Sequence, residues 1–280
     1  MPSWIRDLHL PLEENQGSGW RPYHIFRGST RCMDDFESHV SVLSPGITPH
    51  EPHSHPEEEL LIMLSGEADI VILCPNGSYV ETRDRIKPGL FVYYPAFQLH
   101  TLHAVGIEPA TYLMFKWRAE AESEKGPQLG TTVFHYSKGA THIGSESANG
   151  IFQSRIFDHP TGYLRKLHCH VTTLQPSAGY PPHSDAYDVA ILLLEGTVET
   201  LGRRIGPLGV IFYAAGELHG MKNVGNALAF YLVFEFHRNA GELILPQKTH
   251  ESWRVWRNGV HRFPSKVARL VRRFLTIPHR

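Results

Sequence analysis

Disulfide pairs, long apolar runs and an excess of charge of either sign are all lacking in this sequence, and each absence excludes a class of protein. The three cysteines, Cys32, Cys74 and Cys169, are scattered and form no CxxC pair, so a disulfide-built fold is excluded and a reducing compartment fits. No run approaches the roughly 18 to 20 apolar residues of a membrane span. The segment Met1 to Leu10 also lacks the pattern of a secretory signal, so a soluble, cytoplasmic chain with no membrane partner is expected. Lys and Arg number 27 against 28 Asp and Glu, a net charge of −1, so no nucleic-acid partner is advertised. What is present is a core: 41% of the 280 residues are hydrophobic and 11% aromatic, enough for two compact units and too much for disorder. Also present are 19 histidines, and imidazole chemistry is the first place to look.

Helical periodicity is nearly absent. The apolar segments are short, rich in Val, Ile, Tyr and Phe, and bounded by Gly, Pro or Asn, which predicts strands. These cover 39–43, 59–64, 68–73, 90–94, 111–117, 150–157, 163–173, 189–194, 210–213 and 229–236, with a Pro-Asn-Gly hairpin turn at 75–77. The charged stretch 118–128 reads as a solvated linker that splits the chain nearly in half. The halves resemble each other: Pro-His-Ser-(His/Asp) and Leu-(Ser/Glu)-Gly recur at an offset of 130, and His100 and His219 at an offset of 119. The expected division is an arm (1–34), a first barrel (35–118), a linker (119–128), a second barrel (129–240) and a tail (241–280). In the tail, Pro264 opens an amphipathic helix with Val267, Leu270, Val271, Phe274 and Leu275 on its apolar stripe, suited to covering a barrel. Binding of its basic face to a membrane surface is the other reading.

In Pro52-His53-Ser54-His55-Pro56-Glu57-Glu58-Glu59, two imidazoles at i and i+2 point to one face of an extended segment, and Glu59 opens the next strand. Residues Gly89 to His100 supply a strand, a Pro95 turn and a third imidazole that returns to the same pocket if the sheet curls into a barrel. Three imidazoles and a carboxylate can hold a divalent first-row metal and leave positions for water, substrate or dioxygen. Each residue also has a plainer reading, since a His beside Pro is often a turn residue and Glu57 to Glu59 can be a solvated acidic run.

These residues make the sequence resemble a bicupin of the cupin superfamily. The first cupin motif, G(x)5HxH(x)3,4E(x)6G, is met by Gly46, His53, His55, Glu59 and Gly66 with one extra residue before His53. The second, G(x)5PxG(x)2H(x)3N, is met by Gly89, Pro95 and His100, with Phe97 in place of the inner glycine and Ala104 in place of the asparagine. The resemblance implies an all-β fold of two tandem double-stranded β-helix (jelly-roll) barrels with a C-terminal helix. It also implies a metal held by His53, His55, Glu59 and His100.

The second half fits less closely. His183 and Asp185 occupy the HxH positions, Val189 replaces the motif glutamate, and Gly196, Gly216, His219 and Asn223 follow. A degenerate barrel kept for packing and dimerisation is one reading; a two-histidine, one-carboxylate site of His183, Asp185 and His219 is the other. His168 and His170 share a strand face with Cys169 on the opposite one, and read as strand surface or interface. His50 and His103 flank the first-half motifs as hydrogen-bonding partners or acid/base groups.

The functional expectation is a metal-dependent enzyme acting on a small organic substrate, with the first barrel catalytic. The leading form is a dioxygenase-type oxidoreductase using Fe2+, with Mn2+, Ni2+, Zn2+ and Cu2+ as alternatives and Glu59 able to take a proton. Non-redox isomerase, hydrolase or decarboxylase chemistry is the second form, and a non-enzymatic binding bicupin is the third. A homodimer through barrel faces or edge strands suits the fold.

Overall fold

A computed structural model of the chain describes residues 1–10, 12–13, 17–73, 82–121, 127–138 and 149–238. The chain divides into two units, Met1–Leu245 and Pro246–Arg280, and every described residue belongs to the first. The helix expected from Pro264, the turn at 75–77 and Cys74 lie outside the described residues.

The described residues form strands and connections, with no α-helix. The first half holds β1 (Trp4–Asp7), β2 (Trp20–Gly28), β3 (Asp35–Leu43), β4 (Glu58–Ser65), β5 (Glu67–Leu73), β6 (Thr82–Ile86), β7 (Leu90–Tyr94), β8 (Leu99–Val105) and β9 (Ala110–Arg118). Then follow β10 (Thr132–His135), β11 (Ile151–His159), β12 (Lys166–Leu174), β13 (Gly179–His183), β14 (Asp188–Glu195) and β15 (Val198–Thr200). The last are β16 (Arg203–Ile205), β17 (Gly209–Tyr213), β18 (His219–Asn223) and β19 (Ala229–His237).

Two six-stranded antiparallel sheets dominate, ordered β10-β7-β4-β9-β3-β2 and β1-β17-β14-β19-β12-β11, each with a smaller companion, β6-β5-β8 and β13-β18-β15-β16. The order is the same in both halves, as expected of a jelly roll repeated along the chain. Alternation along the central strands sorts their side chains between two layers. On β4, Leu61 and Met63 face the interior of the first half, whereas Leu60 and Ile62 enter a core shared by the two large sheets. The same parity on β14 sends Ile191 and Leu193 inward and Ala190 and Leu192 into the shared layer. Aromatic rings span that layer, with Phe36 5.3 Å from Phe212, Phe91 5.3 Å from Phe234 and Trp117 5.1 Å from Phe236. Burial on both faces is why these strands read as unbroken apolar runs. The motif glycines are required by space: Gly66 and Gly196 hold φ of +68° and +85°, and a Cβ would lie 2.3 Å from the Pro109 carbonyl oxygen or 2.6 Å from that of Leu228.

Strand pairing crosses the sequence division. Strand β1, from the segment read as an arm, pairs with β17, while β2 pairs with β3, and β10, beyond the linker, pairs with β7. Each exchange covers an open edge of a large sheet with a strand from the other half. Reciprocal hydrogen bonds accompany it. Thr161 Oγ1 donates to buried Glu58 on β4, and its oxygen accepts from the N–H groups of Tyr163 and Leu164. Thr30 Oγ1 donates to buried Asp188 on β14 and accepts from the N–H groups of Cys32 and Met33. Glu58 and Asp188 are the outward-facing first residues of equivalent strands, each latched by a loop from the opposite half.

Candidate metal centres

His53 and His100 are set side by side by the backbone: each donates its N–H to the other's carbonyl, at 3.1 and 3.0 Å. His55 lies two residues along the same extended segment, and the three rings have centroids 5.2 to 5.3 Å apart. One nitrogen from each lies within 4.8 Å of the others. Glu59 enters from β4, fully buried, with Oε2 3.2 Å from His55 Nε2 and 3.8 Å from His100 Nε2. The structure therefore brings the four residues singled out in the sequence to one place, with Glu59 touching two of the three imidazoles.

Their orientation favours a cation. His100 Nδ1 donates to the Gln98 carbonyl at 2.8 Å and His55 Nδ1 to that of Glu57 at 3.1 Å, and a carbonyl only accepts, so each Nε2 turns a lone pair toward Glu59. Tyr94 stacks on His100 at 4.3 Å and fixes its plane. With the ring neutral, His55 Nε2 and Glu59 Oε2 are two acceptors 3.2 Å apart, a contact that a shared proton or a bound cation resolves. That spacing matches the edge of about 3 Å between neighbouring donors on an ion with bonds of about 2.1 Å. His53 Nδ1 and Glu59 Oε1 are buried with no hydrogen-bond partner. The residues present thus fit a divalent ion. Burial and the neighbouring imidazoles lower His53 to about 4, and burial lowers His100, so both rings are neutral ligands near pH 7. Burial would raise the Glu59 carboxyl, but Lys116 and His55 outweigh it and hold it well below the usual carboxylate range.

Lys116 is the residue sequence reasoning missed. It stands on β9 directly across from Glu59, with Nζ 3.3 Å from Oε2. The available signal was parity: Tyr112 and Met114 face inward on β9, so Lys116 does as well, and a lysine there needs a carboxylate. His50 lies against the site, its ring 4.0 Å from His53, whereas His103 bonds Thr48 Oγ1 at 3.0 Å.

Phe97 occupies the inner-glycine position of the second motif. It holds φ of +62°, as glycine would, is 65% exposed, and donates its N–H to the His55 carbonyl. Its counterpart Gly216 holds +81° and donates to the Asp185 carbonyl. A left-handed phenylalanine with little burial to repay it is strained. Phe97→Gly is expected to raise unfolding free energy by about 1 kcal/mol, measured by urea titration, while metal binding is unchanged.

The second half repeats the geometry with one donor fewer. Asp185 Oδ2 lies 3.5 Å from His183 Nε2 and 3.2 Å from His219 Nε2, with both Nδ1 atoms donating to carbonyls, of Pro181 and Glu217. Tyr213 stacks on His219 at 4.0 Å, as Tyr94 does on His100. Burial would raise Asp185, but hydrogen bonds from His183 and His219 hold it below its ordinary range. Val189 stands in the Glu59 position opposite Glu235.

Residues 47–134 match the family model of the cupin domain, a segment that ends on β10 and contains all four first-half candidates. Three solved structures share the fold. One is a protein from Pseudomonas aeruginosa described as glyoxylate induced (12% identity, 88% of this chain and 92% of that chain, TM-score 0.62). Another is protein Ylba from E. coli (14%, 84% and 90%, TM-score 0.59). The third is oxalate decarboxylase from Bacillus subtilis (13%, 85% and 77%, TM-score 0.53). No curated protein matches the sequence.

Proposed function

We propose that this chain is a bicupin enzyme that uses a divalent transition metal on a small organic anion, with the site of His53, His55, Glu59 and His100 catalytic. The observation that carries the reading is the convergence of three imidazoles with a buried carboxylate turned toward two of them. The bound metal would polarise a substrate oxygen and, as iron, would activate dioxygen. The chain's own residues set the rest. Glu59 is the only anionic donor, and Lys116 neutralises it, so the loaded site carries a net positive charge and selects carboxylate or enolate oxygens. Glu59, as the one carboxylate of the set, is the group that would accept a proton there, and the Lys116 ammonium beside it makes it a weak base.

An oxygen-using reaction is the first form. Decarboxylation without net oxidation is the second, favoured by the cationic Lys116 and by the likeness of fold to an oxalate decarboxylase. The test is to load the full chain anaerobically with Fe2+ or Mn2+ and offer keto acids, diphenols, sugar acids and small dicarboxylic acids. Oxygen uptake with an oxidised product is expected; carbon dioxide release without oxygen uptake assigns the second form. No turnover of any substrate with any metal would overturn the enzymatic reading in favour of a binding protein.

A further inference from the structure

A third histidine cluster lies on the inner face of the second half, apart from both sets described above. His168 and His170 on β12 stand beside Glu235 on β19, and one donor atom of each lies within 4.8 Å of the others. Parity separates them from Cys169, which points the other way into the core shared by the large sheets. The face read from the sequence as surface or interface is therefore enclosed, and His170 is only 6% exposed.

Each of the two rings carries an unpartnered nitrogen. His168 Nδ1 and His170 Nδ1 are both buried and without a hydrogen-bond partner; the nearest carboxylate oxygens are Asp158 Oδ2 at 3.8 Å and Glu235 Oε1 at 4.0 Å. The Gln153 amide nitrogen lies 3.4 Å from His170 Nε2 and donates to it; with the amide turned over so that its oxygen accepts from Nε2–H instead, the ring's lone pair is on Nδ1. Glu235 is steered by His237, whose Nε2 is 2.8 Å from Oε2, leaving Oε1 toward His170. Burial keeps His170 neutral with a value lowered to about 4, and His168 is lowered for the same reason.

The first half supplies an internal contrast. Glu37 pairs with Lys116 where His168 pairs with Glu235, and Arg118 stands where His237 stands. Glu37, His39 and Lys116 of the first half thus correspond to His168, His170 and Glu235, so a carboxylate, an imidazole and an ammonium are replaced by two imidazoles and a carboxylate.

We propose that His168, His170 and Glu235 form a separate divalent-metal site of the zinc type, two nitrogens and one oxygen, with His237 orienting the carboxylate. The test uses the full metal-free chain titrated with Zn2+ against a chromophoric chelator, and with Co2+ followed by its visible absorption. His168→Ala and, separately, Glu235→Gln are each expected to bind one ion fewer per chain than the unmodified protein, with an unchanged circular dichroism spectrum. If Glu235→Gln does not fold, His168→Ala carries the test. A chain with His100→Ala and His219→Ala, which disarms the other two clusters, should still take up one ion and lose it when His168→Ala is added. An unchanged ion count in His168→Ala, or no ion bound by the double variant, would overturn the assignment.

Discussion

His100→Ala is expected to weaken binding of the first-half metal by more than about a hundredfold, because loss even of an outer partner of a metal ligand costs 10- to 100-fold. Turnover should fall at least as far. His100 is tied to the site by its backbone bridge to His53, by the bond from Nδ1 to Gln98 and by the stacked Tyr94, and none of these supports the fold elsewhere. Alanine keeps the β8 backbone pairing, so the variant should remain folded while one of four donors is gone. Competition with a chelator, alongside thermal unfolding of the metal-free chain, separates the two effects. A variant that binds metal as tightly as the unmodified protein would show that His100 is a packed core residue.

Glu58→Ala should remove about 3 to 5 kcal/mol of stability. Glu58 is fully buried and accepts from Trp117 Nε1 at 2.8 Å, Thr161 Oγ1 at 2.7 Å and the Tyr163 N–H at 3.2 Å. Alanine strands these donors and leaves a void where the two halves meet, and the penalty for orphaned donors exceeds the net worth of the bonds. Urea titration of both chains measures it; a loss under 1 kcal/mol would mean that the loop at 161–164 contributes nothing to joining the halves.

Glu58 also gives a pH signature. Burial pushes its carboxyl up to about 6 from an ordinary 4.5, so its contribution to folding is fully present below 4.5 and is lost as pH rises through 6. Relative to Glu58→Gln, which does not titrate there, the unmodified chain should lose about 2 kcal/mol from well below pH 4.5 to well above pH 6.

The strands legible in the sequence were those buried on both faces, such as β4, β7, β9 and β19, because continuous Val, Leu, Ile and Phe runs leave few other readings. The small sheets were largely hidden. Strand β8, Leu99–Val105, mixes His and Thr with Leu, and β18, His219–Asn223, is mostly polar or small, since only one face of each meets the core. The donor set was legible because HxH spacing and the Pro95 turn are local features. Lys116 was not: it meets Glu59 only when β4 and β9 pair. Thr30 and Thr161 acquire a role only once each half reaches into the other, and Glu235 joins His168 and His170 only across β12 and β19.

The central claim is that four side chains share one ion, and the direct measurement is an anomalous difference map from crystals of the full chain grown with Mn2+. The account predicts a peak about 2.0 to 2.3 Å from nitrogens of His53, His55 and His100 and from a Glu59 oxygen. Glu59 still bonded to Lys116 with no ion among the three imidazoles, in crystals saturated with metal, would contradict it.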